Sequence, residues 1–220
     1  MRRTMPATLL LLLLSSGGAA VRAQDPPVQE TVDRIAARVE NDVILMSDVR
    51  RLQAYQLFVD GKSESDEQAL DRLIDQWIVR TEAATARFPQ PSEDDIKRSL
   101  ARLRRSFSSP EEYAERQKLS GLSDEEVRQL VASQAYLSNY LDSRFRPTIR
   151  IDDQAIEDFY KNRVIPRAES RGQTPPTLDA ARDFIQEALV QRAINEAADR
   201  WLKESRPRVR VEVLLNGKNS

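Results

Sequence analysis

Four pairs of adjacent carboxylates are the residues of this chain whose type and spacing could do chemistry, with one member acting as general acid and the other as base. The pairs are Asp94-Asp95, Glu111-Glu112, Glu125-Glu126 and Asp152-Asp153. Each pair stands where the sequence predicts the start of a helix. Acidic side chains there accept hydrogen bonds from free backbone N–H groups and face the positive end of the helix dipole. We therefore interpret all four pairs as helix caps and not as an active site.

The residue types that most enzymes use as nucleophile or base are missing. The chain contains no histidine and no cysteine, so it has no Ser-His or Cys-His pair, no imidazole ligand and no disulfide. It has no glycine-rich phosphate-binding loop either. Trp77 and Trp201 could contact a ligand, but both lie on apolar helical stripes and are predicted to pack in the core. We therefore assign no catalytic, metal-binding or cofactor-binding residue, expect no cofactor, and expect that the protein is not an enzyme.

The first 23 residues have the pattern of a cleaved secretory signal peptide. Arginines at positions 2 and 3 precede the apolar run Leu9–Leu14, and a short segment ends at a cleavage site between Ala23 and Gln24. The apolar run is much shorter than the ~20 residues that a membrane-spanning helix needs. An uncleaved anchor or a disordered tail is the alternative. We expect export to the periplasm, without stable membrane insertion.

The charge and the glycine content of the remaining chain limit which partners and which fold class it can have. After the predicted signal peptide, 31 basic and 35 acidic residues remain, which is a net charge of about −4. These charges are interspersed, as on solvated helix faces, and their balance disfavours a nucleic-acid partner, whose phosphates attract basic proteins. Only four glycines remain, which disfavours a fold with many β-turns and favours helices.

Two segments favour strands, and they lie at opposite ends of the chain. Val32–Val49 alternates in a period of two around Glu40-Asn41-Asp42, which suits a tight turn. The other segment is Arg208–Leu215. One face of it carries Val209, Val211, Val213 and Leu215. Because a lone hairpin is marginally stable, we predict that both segments form one small antiparallel sheet in a mainly α fold.

Apolar residues at helical spacing, each run preceded by a capping residue, predict the helices between the two strand segments. The predicted caps are Ser47 with Asp48, Ser65 with Gln68, Ser92, Ser109 with Pro110, Ser123 with Glu126, Asp152 and Thr177. The apolar stripe of the long last helix includes Phe184. Ile165–Thr177 contains three prolines and has no apolar period, which predicts an exposed loop.

Five segments, taken in order, carry a resemblance to a known family. They are VDRIAARVENDVILMSDV, LDRLIDQWIVRTEA, GLSDEEVRQLV, RPTIRIDDQAIEDFY and AADRWLKESRPRVRVEVLL. Their order resembles that of the SurA family of periplasmic chaperones over roughly Val32–Leu215. The resemblance implies a helical chaperone core, a peptide-binding module like that of trigger factor, in which the N-terminal hairpin meets the C-terminal strand.

The resemblance also implies a division of the chain. Its parts are a signal peptide (1–23), a flexible mature N-terminus (24–31), the core chaperone domain (32–215) and a tail (216–220). The core comprises an N-terminal part (32–151), a helix (152–164), a loop (165–177) and a closing helix and strand (178–215). Members of the family usually carry parvulin-type isomerase domains at the position of that loop. Here the loop is too short for a domain of ~100 residues.

The function that the resemblance implies is ATP-independent holding of unfolded polypeptides, in particular precursors of outer-membrane β-barrels. Prolyl isomerase activity is not carried over, because the chain lacks a parvulin domain and any histidine. Two alternatives stay open: an isomerase with an unrecognised site, and an assembly factor for one dedicated envelope partner. The peptide-binding residues are left unassigned, since a groove and a core show the same apolar period.

Overall fold

A three-stranded antiparallel sheet joins the two ends of the described chain, which in the computed structural model comprises residues 33–215. The strands are β1 (Ile35–Val39), β2 (Asp42–Leu45) and β3 (Val211–Val213), in the order β2-β1-β3. Val39 of β1 lies opposite Asp42 on one side and Val211 on the other. Glu40 enters the turn with a left-handed φ of 52°. The predicted sheet and the mainly α fold class are confirmed.

Several sequence predictions fall outside the described residues. They are the signal peptide with its cleavage site at Ala23 and Gln24, the N-terminal segment 24–31 and the tail 216–220.

The C-terminal strand is shorter than predicted. Arg206–Arg208 forms a 3-10 turn, and the regular strand covers only Val211–Val213. Val211 and Val213 lie opposite Val39 and Ala37 and therefore share one face of the strand. Val213 is nevertheless 56% exposed, whereas Leu215 is buried. Beyond the regular strand, the N–H of Leu214 still bonds to the carbonyl of Ala36 at 2.8 Å, and Leu215 packs in the core.

Eight α-helices connect β2 to β3 within the described range. They are α1 (Met46–Asp60), α2 (Asp66–Thr85), α3 (Glu93–Arg105), α4 (Pro110–Ser120), α5 (Asp124–Phe145), α6 (Asp153–Phe159), α7 (Ile165–Glu169) and α8 (Leu178–Ser205). Arg146–Thr148 forms a second 3-10 turn, and Tyr160–Val164 forms a π-helical turn.

Six of the predicted helix starts are confirmed, because the capping side chain accepts a backbone N–H three residues later. These caps are Ser65, Ser92, Ser109, Ser123, Asp152 and Thr177. The prediction of Ser47 as a cap is wrong, since α1 already begins at Met46 with Leu45 at the N-cap. Asp48 does contribute, accepting the N–H of Leu45 at 2.9 Å.

The predicted loop Ile165–Thr177 is wrong in its first part. The helix that begins at Asp153 continues through the π-helical turn into α7, so only Ser170–Thr177 is irregular. Pro166 directly follows the π-helical turn. Proline cannot continue the regular ladder of helical hydrogen bonds, and the widened turn before it is where the ladder is interrupted. The inward placement of Phe184 is also wrong: this side chain of α8 is 73% exposed.

Separate apolar clusters hold the helices in place. One covers the sheet with side chains from α1, α2 and Leu215, and Ile74 is fully buried there. A second cluster surrounds Phe58, whose ring lies 5.2 Å from that of Phe107 in an offset stack. A third joins α6 to α8 around the fully buried Ile185. Between Asp33 and Leu215 no helix is long and apolar enough to cross a membrane.

Candidate functional site

The four carboxylate pairs lie at the N-termini of α3, α4, α5 and α6, as predicted. Asp95 accepts hydrogen bonds from the N–H and Oγ–H of Ser92 at 3.0 and 2.6 Å. Glu126 accepts the same two bonds from Ser123 at 2.9 and 2.7 Å. These bonds hold the pKa of both carboxyl groups below the ordinary range, because they favour the ionised form. The pairs are caps.

The two tryptophans pack against the core, as predicted. Trp77 is half-buried and donates its indole N–H to Asp42 at 2.8 Å. Trp201 lies 6.2 Å from the ring of Phe145, and the guanidinium of Arg144 lies 4.8 Å from its centroid. Both therefore tie helices to the sheet or to one another.

A groove with a volume of about 670 Å³ lies between α1, α2, α5 and α8. We call it the acidic groove. Its apolar lining consists of Leu52, Tyr55, Val59, Val79, Leu137, Leu141 and Leu202. Its size is in the range of ordinary ligand sites.

The turn between α1 and α2 sets the mouth of the acidic groove. Gly61 ends α1 with a φ of 75°, and the guanidinium of Arg116 packs where a Cβ on Gly61 would lie. Glycine is therefore favoured here by its left-handed backbone, whereas the flexible end of the Arg116 side chain could move away from a Cβ. Gln53 fixes the turn by donating to the carbonyl of Glu64 at 3.0 Å and to the carboxylate of Asp66 at 2.9 Å.

The most informative side chain of the acidic groove is Gln56 on α1. It is 6% exposed, and neither its amide nitrogen nor its amide oxygen has a hydrogen-bond partner among the described residues. Leaving a buried amide unpaired costs roughly 1–3 kcal/mol, so such groups are rare unless they meet a ligand or water. Both amide atoms of Gln56 are closed off from solvent, so a ligand in the groove reaches them only when the side chain turns outward. The amide then offers one donor group and one acceptor.

Carboxylates outnumber guanidinium groups along the groove. The acidic lining residues are Asp60, Glu64, Asp71, Asp75 and Asp199. Arg72 pairs with Glu64, and Arg206 bonds to both Asp71 and Asp75. Five carboxylates and two guanidinium groups leave a net charge of −3 in this region.

Asp75 is half-buried in the wall of the groove. Burial raises the pKa of its carboxyl group above the ordinary 3.8, Arg206 lowers it, and neighbouring Asp71 and Asp199 raise it further. A group in this setting holds its negative charge at a cost, and a cation from a bound ligand would relieve that cost.

The acidic groove combines the kinds of chemical group that a binding site for a polypeptide needs. Its apolar floor suits aliphatic or aromatic side chains, its buried amide suits a peptide backbone, and its carboxylates suit lysine or arginine. Sequence reasoning left these residues unassigned. One signal was present: Gln56 interrupts the apolar spacing of Leu52 and Val59 on α1. A polar residue at a core-facing position is the pattern expected of a buried site.

Comparison with known proteins adds no family. No model of a protein family matches the chain, and a search of curated proteins finds no match. Among residues 33–215, no group of acidic side chains is arranged to hold a metal ion.

Proposed function

We propose that this protein is an exported, ATP-independent chaperone that holds unfolded envelope proteins, in particular precursors of outer-membrane β-barrels, in the acidic groove. The observation that carries the proposal is the buried, unpaired amide of Gln56 in an open and partly apolar groove. The resemblance of the segment order to the SurA family supports the same function and a periplasmic location.

An extended polypeptide fits the chemistry of the acidic groove. Its backbone presents both N–H and C=O groups, and the amide of Gln56 can pair with one of each. Gln76 and Gln134 line the same groove and add further amides. Backbone pairing and apolar contact do not depend on a particular sequence, which suits a protein that holds many clients.

The excess of carboxylates adds a preference for clients with basic residues. A lysine or arginine next to an apolar stretch would place its charge beside Asp75 and Asp199. Complementary charge increases the rate of encounter and selects among clients. Strongly acidic segments would be repelled.

Light scattering of an unfolded β-barrel precursor, diluted from urea without nucleotide, tests this function. The protein should suppress aggregation at a near-stoichiometric ratio. Leu141→Asp, which places a charge on the half-buried apolar lining of the groove, should raise the protein concentration needed by at least roughly tenfold, because burying an unpaired carboxylate displaces the apolar contact.

Leu119→Asp is the matched control. Leu119 lies on α4 outside the groove and is 67% exposed, so the same substitution should leave suppression unchanged. Circular dichroism and thermal unfolding establish that both variants fold. If the wild-type protein fails to suppress aggregation at several-fold excess, the chaperone function is wrong.

Two further assays separate the alternatives. A protease-coupled proline-peptide assay with a rate above background, abolished by a point mutation, would replace the proposal with a prolyl isomerase. Pull-downs that return one stoichiometric partner would replace it with a dedicated assembly factor.

A further inference from the structure

A second concave site, between the segment 159–173 and α8, carries the opposite charge to the acidic groove. We call it the basic cleft; its volume is about 530 Å³. Its lining residues are Phe159, Arg163, Val164, Arg167, Ala168, Arg171, Gln173, Phe184 and Ala188. None of these lining residues, all within the described range, is acidic.

The three arginines of the basic cleft have no acidic partner. Within residues 33–215, Arg163, Arg167 and Arg171 take part in none of the ion pairs. Many other arginines do, such as Arg146, which bonds to Asp142 and Glu187 at 2.8 Å each. Three guanidinium groups around one cleft without compensation form a site for several carboxylates.

The backbone that presents these arginines is well hydrogen-bonded. Arg171 and Gln173 both donate their N–H to the carbonyl of Ala168, at 3.0 Å each. The Tyr160 hydroxyl donates to the carbonyl of Pro176 at 2.6 Å, which ties the far end of the turn to the π-helical segment. A partner would therefore meet a preformed surface, and preformed sites lose less entropy on binding.

Phe184 supplies the apolar element of the basic cleft. Its neighbours Ala181 and Ile185 are buried against Ile156 of α6, whereas Phe184 faces away from that cluster and is 73% exposed. An exposed large aromatic side chain within a concave, cation-lined surface indicates an interaction site.

We propose that the basic cleft binds an acidic polypeptide segment that carries one aromatic or large aliphatic side chain. The apolar side chain packs between Phe159 and Phe184, and flanking carboxylates pair with the three arginines. The proposal is independent of the chaperone function, because the site, the charge and the ligand all differ. A membrane surface fits less well, since membrane-binding helices present a protruding apolar face, whereas this site is concave.

Fluorescence anisotropy with two labelled twelve-residue peptides tests the proposal. Each peptide is built from glycine and serine around one phenylalanine, which is flanked by two aspartates on each side in one peptide and by two lysines in the other. The aspartate peptide should bind the full protein through the basic cleft, whereas binding of the lysine peptide should not respond to substitutions in this cleft. Its affinity should fall steeply with added salt.

Variants locate the binding. R163Q/R167Q/R171Q should weaken the aspartate peptide at least tenfold, and Phe184→Ala several-fold. The matched control, R50Q/R102Q/R105Q, removes the same charge from exposed positions outside the cleft and should leave the affinity unchanged. If both triple variants weaken the affinity for the aspartate peptide equally, the effect is one of general charge, and the proposal that the peptide binds in the basic cleft is wrong.

Two further outcomes would overturn the choice of partner. Co-sedimentation with anionic phospholipid vesicles, without binding of the aspartate peptide, would assign the basic cleft to a lipid surface. A dimer in analytical ultracentrifugation that R163Q/R167Q/R171Q dissociates would assign it to a second copy of this chain.

Discussion

The acidic groove and the basic cleft are similar in size and opposite in charge. In the acidic groove, Asp71 and Asp75 share the guanidinium of Arg206, and the amide of Gln56 is buried without a described partner. In the basic cleft, the charges are exposed and have no described partner. A chain whose formal net charge is only −1 thus separates its charges into two sites. The net charge of the whole chain does not reveal this separation.

The two sites also differ in how they are built. The acidic groove takes its walls from four helices, and its lining runs from Leu52 to Leu202. The basic cleft takes its lining from residues 159–188. The groove therefore depends on the closure of the whole fold, whereas the cleft depends on the local packing of α6, α7 and α8.

The largest expected effect follows deletion of Arg208–Ser220. The deletion removes β3, which pairs with β1, and Leu215, which is buried in the cluster that supports the groove. Loss of a buried leucine alone costs about 2–5 kcal/mol, so the free energy of unfolding in urea should fall by at least about 3 kcal/mol. Unchanged urea unfolding would show that the sheet does not close the fold.

A pair of cavity-forming substitutions should separate the two sites. Ile74→Ala and Ile185→Ala each remove a fully buried side chain, and each should cost roughly 2–5 kcal/mol in urea unfolding. In the folded proteins, Ile74→Ala should weaken the lysine peptide in the groove, and Ile185→Ala should weaken the aspartate peptide in the cleft. Identical losses of both peptides in both variants would contradict separate construction.

A smaller effect concerns pH and the acidic groove. The pKa of Asp75 is raised by burial, so on acidification this carboxyl group takes up a proton before carboxyl groups with ordinary pKa values do. Affinity for the lysine peptide should therefore fall several-fold at a higher pH than in Asp75→Asn, in which that step is absent. Anisotropy titrations across pH measure it. Superimposable pH profiles would remove Asp75 from the site.

The same pKa shift predicts the direction of a stability effect. A folded-state pKa above 3.8 means that the native protein binds the proton more tightly than the unfolded chain does. The ionised carboxylate therefore lowers stability, fully above the raised pKa and not at all below the ordinary one. Asp75→Asn should leave the thermal midpoint at neutral pH unchanged or raise it, although Arg206 loses a partner.

The smallest expected effect on stability follows replacement of Ser170–Pro176 by a short glycine-serine linker. The segment is surface-exposed and irregular, so the cost should be below about 1 kcal/mol. Binding of the aspartate peptide should nevertheless weaken strongly, because Arg171 and the turn that holds it are lost. Unchanged peptide binding would show that the turn takes no part in the cleft.

The fold followed closely from local sequence signals. Ser65 with Gln68, and Ser123 with Glu126, form reciprocal capping boxes, which depend on residues only three positions apart. The hairpin and its closure by a C-terminal strand followed from β-favouring runs at the two ends. Two departures, at Ser47 and at the short strand β3, lie at element ends. The helical stretch Ile165–Glu169 and the exposed Phe184 are departures within elements.

The two sites could not be predicted in the same way. The acidic groove joins side chains from helices that are far apart in sequence, and the apolar period of each helix marks core and groove alike. The basic cleft was not predicted because the prolines of residues 165–177 indicated a loop, in which the arginines have no fixed arrangement. The four-residue spacing of Arg163 and Arg167 has meaning only once this stretch is known to be helical.

Site-specific photo-crosslinking tests the central claim, that unfolded polypeptides bind in the acidic groove. A photoreactive phenylalanine analogue replaces Ser138, an exposed residue lining the groove, or Gln173, an exposed residue lining the basic cleft. The client is a urea-diluted β-barrel precursor whose acidic segments have been neutralised. We expect a strong crosslink from position 138 and none from position 173. A crosslink from position 173 alone, or from neither position while aggregation is still suppressed, would contradict the account.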